Sequence, residues 1–350
     1  MTWGESHGPA VGVVIDGVPA GMMLSEEDIQ SYLDRRKPGT SEFTTKRSES
    51  DTVSILSGVF EGRTEGSPIS LLVKNSDAHS KDYSDLAHLY RPGHADYCFS
   101  QKYGFRDYRG GGRSSGRETI GRVAAGAVAA KFLSEFSISV FAYTKSIGDV
   151  EITSFDPAER DKNPLFMPDK KAAEKASEVI RAAAAEKDSV GGVIECRISG
   201  LPAGIGEPVF DKIDAALASA CLSIGACKGF AIGDGFGAAR LRGSENNDPF
   251  CIRDGKVVKE SNHSGGTLGG ISDGSEIQFC AAFKPTPSIA RPQKTVTEDG
   301  RETTVEIHGR HDPTVVPRAV VVVESMAALT CADLLLASAG SRLENLKKLF

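Results

Sequence analysis

The sequence has little that could cross-link a fold covalently or through a metal. Its seven cysteines stand singly and none forms a Cys-x-x-Cys pair, so reduced thiols are expected rather than a disulfide framework or zinc site. No uninterrupted apolar run approaches the ~20 residues of a membrane span. The first residues also lack the pattern of a signal peptide. We therefore expect a soluble, cytoplasmic protein without a metal site.

Composition places the chain among ordinary globular proteins. Of its 350 residues, 40% are hydrophobic and 25% are charged, which excludes a disordered or collagen-like chain. The charges sum to 41 − 47 = −6, so the protein as a whole is not expected to bind nucleic acid or an anionic membrane. We predict a single domain over residues 1–350, with a surface excursion at about 151–170.

Hydrophobic patterning predicts short strands that alternate with alanine-rich helices. Strands are predicted at Ile69–Lys74 and Ile277–Phe283, where β-branched residues are bounded by glycine or proline. A helix is predicted at Arg117–Phe132. A further strand at Ala319–Val323 is expected to lead into a helix at Ser325–Ala337.

One short motif occurs twice. Residues 15–21 read Ile-Asp-Gly-Val-Pro-Ala-Gly, and residues 198–204 read Ile-Ser-Gly-Leu-Pro-Ala-Gly. Each copy follows a predicted strand and precedes a predicted helix. An internal repeat with a site between its halves is one explanation, and chance recurrence of a favourable turn sequence is the other.

The acidic total hides two basic segments. Residues 91–122 carry a local charge of +4, and residues 35–47 also carry +4. Arginine gathered inside an acidic protein favours a small polyanion, because planar guanidinium groups bind phosphate and carboxylate in pairs of hydrogen bonds. Nucleic acid is the alternative partner, although it needs a broader basic face. A solvated loop is the third explanation.

The glycine-rich run that begins at Arg109 is the strongest candidate for an anion site. Ser115 and Glu118 have the spacing of a capping box, so a helix should begin there and present its N-terminus to the loop. The run matches neither a Walker A loop nor a dinucleotide fingerprint.

Two histidines stand beside glycine and an acidic residue, as expected of proton donors near a cationic pocket. They are His7, in Glu-Ser-His-Gly, and His94, in Arg-Pro-Gly-His-Ala-Asp. A third group, at residues 308–312, contains two histidines and Asp312. It lacks the neighbours of a metal site, so proton chemistry is favoured there as well.

Taken together, these motifs resemble the chorismate synthase family. The resemblance runs from Trp3 to about Leu336 with the motifs in the family's order, and the motifs that carry it are residues 4–8, 91–96, 106–119, 229–235, 261–263 and 309–313. It implies an α+β fold, a sandwich in which helices pack between antiparallel sheets. It also implies a homotetramer.

The implied activity is a lyase reaction of the shikimate pathway, in aromatic amino acid biosynthesis. In it, 5-enolpyruvylshikimate 3-phosphate loses phosphate and a ring hydrogen by anti 1,4-elimination to give chorismate. Reduced FMN (FMNH2) is the implied cofactor, used without net redox change. No sizeable insertion indicates a built-in NADPH-dependent (NADP) flavin reductase, so an external flavin reductase or other source of reduced flavin is the expected partner.

The resemblance also assigns roles to residues. The implied catalytic residues are His7, as the acid for departing phosphate, His94, beside the flavin, and Asp312, as the base for the ring proton. The implied FMN-binding residues are Arg113, Ser114, Ser115, Gly225, Ala226, Gly269, Lys284, Pro285, Thr286, Pro287, Ser288 and Arg310. The implied substrate-binding residues are Ser6, Arg36 and Arg117.

The chain departs from the family in two places. Members usually have about ten residues, including a first strand, before the motif that contains His7. Here either the start site was chosen late or that strand is missing, and its absence would affect the ordering of His7. Glu42 stands where many members have arginine, and Lys46 and Arg47 are the candidates to replace it. Two further functions remain open: a flavin-binding protein without catalysis, and an Arg/Gly RNA-binding module with steep salt dependence.

Overall fold

The computed structural model describes residues 1–39, 41–44, 49–75, 86–109, 111–307, 312–348 and 350. In these residues the helices are α1 (Glu26–Arg36), α2 (Asp96–Tyr103), α3 (Thr119–Ser134), α4 (Lys170–Ala185), α5 (Ile213–Leu222), α6 (Gly243–Asn246), α7 (Val316–Ser338) and α8 (Leu343–Leu346). The strands are β1 (Thr2–Gly4), β2 (Ala10–Ile15), β3 (Val53–Ser57), β4 (Val59–Phe60), β5 (Arg63–Thr64), β6 (Ile69–Lys74), β7 (Ser139–Ile147), β8 (Val150–Glu151), β9 (Gly192–Ser199), β10 (Cys227–Ile232), β11 (Phe250–Arg253), β12 (Lys256–Lys259), β13 (Thr267–Leu268), β14 (Ile271–Ser272), β15 (Ile277–Phe283), β16 (Gln293–Val296) and β17 (Glu302–Val305).

Two antiparallel sheets enclose the long helices. One sheet has the strand order β1-β2-β6-β3, and the other has the order β10-β15-β9-β7-β8. Helix α3 packs against β2 and α7, and α7 packs in turn against β7 and β9. Helix α1 contacts both α3 and α7. The predicted α+β sandwich, with helices between antiparallel sheets, is confirmed.

Helix α7 corrects one sequence prediction. The strand expected at Ala319–Val323 is wrong, because α7 begins at Val316 and continues through the valine run. The four valines at 320–323 are each at most 3% exposed, so sheets and helices cover them on every side. Burial of this kind outweighs the preference of β-branched residues for strands.

By length and composition alone, α7 could also cross a membrane. However, 67% of its most apolar window is buried inside the protein. It is therefore the central helix of the core.

The repeated motif has the same structure in both halves. Strand β2 ends with Ile15 paired to Ile69 of β6, and β9 pairs Ile198 with Ile277 of β15 in the equivalent way. The strand order is also shared: β1-β2-β6-β3 in the first sheet corresponds to β7-β9-β15-β10 in the second. The halves therefore share strand order and register, which favours the repeat over chance recurrence.

Side chains at the two turns make matching hydrogen bonds. The hydroxyl of Thr64 donates to the carbonyl of Pro19 at 2.6 Å, and that of Ser272 donates to the carbonyl of Pro202 at 2.6 Å. Each hydroxyl oxygen also accepts a backbone N–H three residues after that proline, at 3.0 Å and 2.9 Å. The two turns thus match in these hydrogen bonds as well as in sequence.

Segment 151–170 is not wholly a surface excursion. Leu165 and Met167 are fully buried. Arg160 lies 3.2 Å from the buried carboxylate of Glu324 in α7, and its guanidinium stacks on Phe141. The prediction of an excursion is wrong for this part, because apolar side chains and an ion pair dock it onto the core.

A strand precedes His7 in the structure. β1 pairs antiparallel with β2, from Thr2 opposite Val13 to Gly4 opposite Val11. His7 therefore follows a strand that is anchored in the sheet.

The crossing of α3 and α7 generates a prediction. A Cβ added at Gly126 would lie 2.2 Å from Cβ of Ser325 and 2.5 Å from its Cα. We expect Gly126→Ala to destabilise the protein by about 1–3 kcal/mol, because the helices must separate to admit the methyl group. Urea unfolding measures this change. Gly243→Ala is the control, since a Cβ there meets nothing within 4 Å among the described residues. Equal stability of the two variants would contradict the close crossing.

Candidate active site

His7 lies in the tight turn between β1 and β2. The N–H of Gly8 donates to the carbonyl of Glu5 at 3.1 Å, which closes a four-residue turn with Ser6 and His7 at its centre. Ser6 is buried, and its hydroxyl lies 3.0 Å from Nδ1 of His7. The predicted residues Ser6 and His7 are thus in direct contact, and the serine orients the imidazole.

A buried ion-pair cluster lies behind this turn. The carboxylate of Asp51 is 2.6 Å from the guanidinium of Arg36 and 3.0 Å from that of Arg117. All three side chains are at most 5% exposed. Arg117 also pairs with the buried carboxylate of Glu49. This group is called the Asp51 cluster below.

Burial and charge act in opposite directions in this cluster. Burial alone raises the pKa of Asp51, but the guanidinium groups of Arg36 and Arg117 outweigh it, so that the net pKa is lowered. Burial lowers the pKa of Arg36 to about 10, against the opposing effect of Asp51. The carboxylate therefore stays ionised and holds both arginines in place.

Arg36 and Arg117 are the predicted substrate clamps. In the structure both guanidinium groups already bind carboxylates of the protein, Asp51 and Glu49. Their contact with substrate stays a prediction. What the structure adds is that they hold other parts of the site together.

The Asp51 cluster connects to His7 through an asparagine. Nε of Arg117 donates to Oδ1 of Asn75 at 2.5 Å. The Asn75 amide nitrogen donates to the carbonyls of Glu5 and Gly8, at 2.8 Å and 2.7 Å. The sequence analysis missed both Asn75 and Asp51, since no local signal marks either residue.

The same cluster connects to Asp312. Nη1 of Arg318 donates to the Asp312 carboxylate at 2.7 Å, and its Nε donates to the backbone carbonyl of Arg36 at 3.1 Å. His7 and Asp312, the predicted acid and base, are thus both tied to elements that meet at the Asp51 cluster.

A second group of predicted residues forms around His94. Nε2 of His94 lies 2.7 Å from the hydroxyl of Ser288. The ammonium of Lys284 donates to the carbonyl of Gly93 at 2.6 Å, and its backbone N–H donates to the carbonyl of Ala226 at 3.0 Å. Gly93 has a φ of +71°, and a Cβ there would lie 2.8 Å from Pro287. Only glycine allows this approach of the two loops.

The loop that carries His94 is held by a buried ion pair. Arg91 donates from Nε and Nη2 to the two carboxylate oxygens of Asp96, each at 2.7 Å. Burial raises the pKa of Asp96, but the hydrogen bonds and charge of Arg91 outweigh it and lower the pKa overall. Nη2 of Arg91 also lies 3.7 Å from the position that a Cβ of Gly111 would occupy. The His94 loop therefore adjoins the glycine-rich loop.

The glycine-rich loop is organised differently from the prediction. Ser115 caps a 3-10 turn by accepting the N–H of Arg117 at 3.3 Å, and α3 begins at Thr119. Glu118 does not complete a capping box. Its carboxylate instead accepts from the hydroxyl of Thr2 at 2.8 Å and from Nε of Arg122 at 2.9 Å, while the Ser115 N–H donates to the carbonyl of Gly112 at 3.3 Å.

Arg113 and Ser114 make contacts within the protein. Nη1 of Arg113 donates to the carbonyl of Gly4 at 2.8 Å, and Nη2 donates to the hydroxyl of Thr2 at 2.6 Å. Ser114 donates to the carbonyl of Gly111 at 2.7 Å. Arg113 thus secures the strand that precedes His7, and its role toward FMN stays a prediction.

Some predicted residues are not brought to this place. Gly269 lies in the turn between β13 and β14, where the adjoining Gly270 packs on Lys212 just before α5. That turn precedes β15, whereas Lys284 follows β15. Gly269 and Lys284 therefore lie near opposite ends of a strand that spans about 20 Å. Glu42 forms an exposed ion pair with Arg181 of α4 at 2.7 Å. Arg310, Lys46 and Arg47 lie outside the described residues.

Comparison with known proteins agrees with this architecture. A family model described as chorismate synthase matches residues 1–336. The chain is 62% identical over 347 residues to the chorismate synthase of Agathobacter rectalis, covering 99% of this chain and 95% of the relative. It is 60% identical to that of Lachnoclostridium phytofermentans, covering 100% of this chain and 96% of the relative.

A solved structure also matches. A crystal structure of a chorismate synthase superimposes with a TM-score of 0.78 at 34% identity, covering 99% of this chain and 94% of the other. The fold and the comparisons together define the protein as an α+β enzyme of the lyase class. The chain belongs to the chorismate synthase family.

The Asp51 cluster generates a prediction for stability. Asp51→Asn leaves two buried guanidinium groups without their shared charge, and we expect a loss of about 3–5 kcal/mol at pH 7. The folded-state pKa of Asp51 is lowered, so its contribution is present above its ordinary value of ~4 and is lost as pH falls below that value. The gap between wild type and variant should therefore narrow below about pH 4.

Urea unfolding between pH 7 and pH 3 measures the gap. Asp333→Asn, at an exposed position on α7, is the control and should stay close to wild type throughout. A gap that stays constant down to pH 3 would contradict the assignment of a charge-dependent contribution to Asp51.

Proposed function

We propose that the protein converts 5-enolpyruvylshikimate 3-phosphate to chorismate and phosphate, using reduced FMN without net redox change. Family membership over residues 1–336 is the observation that carries this proposal. The placement of His7 and Asp312 on elements that meet at the Asp51 cluster supports it. The enzyme would serve the shikimate pathway of aromatic amino acid biosynthesis.

The elimination needs an acid and a base in fixed positions. A C–O bond to phosphate and a C–H bond of the ring break, and a new C=C bond forms. His7 would donate a proton to the departing phosphate, with its ring oriented by Ser6. Asp312 would accept the ring proton, with its carboxylate oriented by Arg318. Arginines near the site would stabilise the charge on the leaving group.

The residues around Lys284 fit the phosphate of a flavin mononucleotide. The hydroxyl of Thr286 is buried and has no hydrogen-bond partner among the described residues. Burial, and secondarily the charge of Lys228, lowers the pKa of Lys284, as expected where two ammonium groups lie near each other without an anion. A phosphate between them would satisfy both the hydroxyl and the charges.

FMN would therefore be held by the stretch 284–288 with Gly225 and Ala226, and His94 would lie at its side. When bound, the reduced flavin would supply a transient electron that helps to expel phosphate. His94 would govern the protonation of the flavin. Ser288 would orient the imidazole ring of His94 through its contact with Nε2. Arg113, Ser114, Ser115 and Arg310 complete the proposed FMN set, whereas Gly269 lies at the other end of β15 from Lys284 and is left out of it.

We also propose a cytoplasmic homotetramer that takes reduced flavin from an external reductase, with no nucleic-acid or membrane partner. Exposed apolar side chains support self-association. They include Phe210, Phe236, Phe250 and Ile252, which are at least 61% exposed.

The proposed reaction is tested by an anaerobic assay with dithionite-reduced FMN that follows phosphate release from the enolpyruvyl substrate. We expect turnover with reduced FMN and none with oxidised FMN. Binding of oxidised FMN without phosphate release under reducing conditions would instead favour a flavin-binding protein that lacks catalysis.

The two histidines are tested in the same assay. We expect His7→Ala and His94→Ala each to lower turnover by ~100-fold or more while the fold is retained, as for positioned proton donors. His88→Ala is the matched control, since that side chain is 91% exposed and should tolerate the change. Wild-type turnover in both site variants would remove the proposed roles.

The flavin site is tested by binding alone. We expect Thr286→Val to weaken oxidised FMN about fivefold to tenfold in a fluorescence titration, because one hydrogen bond to phosphate is lost. Thermal stability without flavin should not fall, since the hydroxyl has no partner to lose among the described residues. Unchanged FMN affinity would place the phosphate elsewhere.

A further inference from the structure

We infer that Asn75 is the positioning residue of the His7 turn. The inference rests on the proposed role of His7 as the acid. Asn75 follows the last residue of β6 and lies in neither of the two basic segments, residues 35–47 and 91–122. Its side chain nevertheless lies between the Asp51 cluster and the turn that carries His7.

The side-chain amide of Asn75 binds the His7 turn at two points. Nδ2 of Asn75 donates both of its hydrogens, to the carbonyls of Glu5 and Gly8 at 2.8 Å and 2.7 Å. These two residues flank Ser6 and His7, and the Gly8 N–H closes the turn between them. The amide therefore fixes both ends of the four-residue segment whose centre is the proposed acid.

The orientation of the amide is itself determined. Its Oδ1 accepts from Nε of Arg117, so the nitrogen must face the turn, since a flipped amide would set a donor against Nε and an acceptor against two carbonyls. Arg117 is in turn fixed by Asp51. The backbone N–H of Asn75 also donates to the carbonyl of Pro9 at 3.1 Å.

A positioning role has consequences for the chemistry. A proton donor misplaced by about 1 Å can lose ~100-fold in rate while substrate binding survives. Among the described residues Asn75 contacts the turn through backbone carbonyls, so a change that removes these contacts and keeps the one with Arg117 should act on the reaction through His7. That expectation separates Asn75 from a residue that touches the substrate.

The test uses Asn75→Asp, which keeps the shape of the side chain and the contact with Arg117 but sets a carboxylate oxygen against two carbonyls. We expect kcat to fall by about tenfold or more, with KM changed by less than about threefold. Asn75→Ala, which removes the donors without adding charge but also removes the acceptor of Arg117, is the second variant and should show the same fall in kcat.

The matched control is Asn163→Asp. Nδ2 of Asn163 also donates to two backbone carbonyls, those of Glu159 and Met167, at 2.9 Å and 2.8 Å. It lies in segment 151–170, away from the His7 turn. Loss of these two hydrogen bonds in Asn163→Asp should lower the free energy of unfolding while kcat stays at the wild-type value. An equal loss of kcat in both variants would reduce Asn75 to a general structural role.

Two readouts decide the inference. In the His7→Ala background, Asn75→Asp should cause no further loss of kcat, because its effect passes through the missing imidazole. In protein with 13C-labelled histidine, the His7 ring signal, identified by its absence in His7→Ala, should shift in Asn75→Asp and not in Asn163→Asp. An unshifted signal, or losses that add in the double variant, would overturn the inference.

The ring signal also separates this inference from the proposed function. If His7→Ala retains full turnover, the acid role of His7 fails. A shifted His7 signal in Asn75→Asp would still support the positioning of the turn, and an unshifted one would overturn it.

Discussion

The site depends on one buried carboxylate shared by two arginines. Asp51 precedes β3, Arg36 ends α1 and Arg117 stands just before α3, so their pairing fixes one sheet and two helices of the core relative to one another. Charges removed from water are stable only when they are paired, which leaves these elements few other arrangements. The loops of His7 and Asp312 attach to the same cluster, so the positions of the proposed acid and the proposed base are set by the packing of the core.

Much of the positive charge in the sequence is neutralised in this way. Arg91 pairs with Asp96, Arg117 pairs with Asp51, and the guanidinium of Arg106 lies 3.4 Å from the carboxylate of Glu298. The local net charge of a sequence segment therefore overstates how much positive charge is available to bind a ligand. The paired arginines serve first to hold the fold together, and one of these pairs, Arg91 with Asp96, fixes the loop that carries His94.

The sequence predicts those parts of the structure whose signal is local. Strands β6 and β15 are predicted to the residue, because alternating β-branched residues between turn formers admit one interpretation. Helix α7 begins as a predicted strand, since only its neighbours explain why four valines form a helix. His7 and His94 stand out by their neighbours along the chain. Asn75 and Asp51 do not, because they meet Arg117 across 42 and 66 residues.

The matching halves of the fold bear on how the chain originated. Two units with the same strand order, turn bonds and register, joined where Gly126 meets Ser325, are what duplication and fusion of a half-length ancestor leaves behind. The connection from β1 to β2 is a short turn that carries His7, whereas the corresponding connection from β7 to β9 runs through residues 148–191 and includes α4. An ancestor that paired with itself would have had two identical ends. After fusion, one end could keep the short turn that carries His7 while the other lengthened to include α4, so that matching strands came to carry different connections.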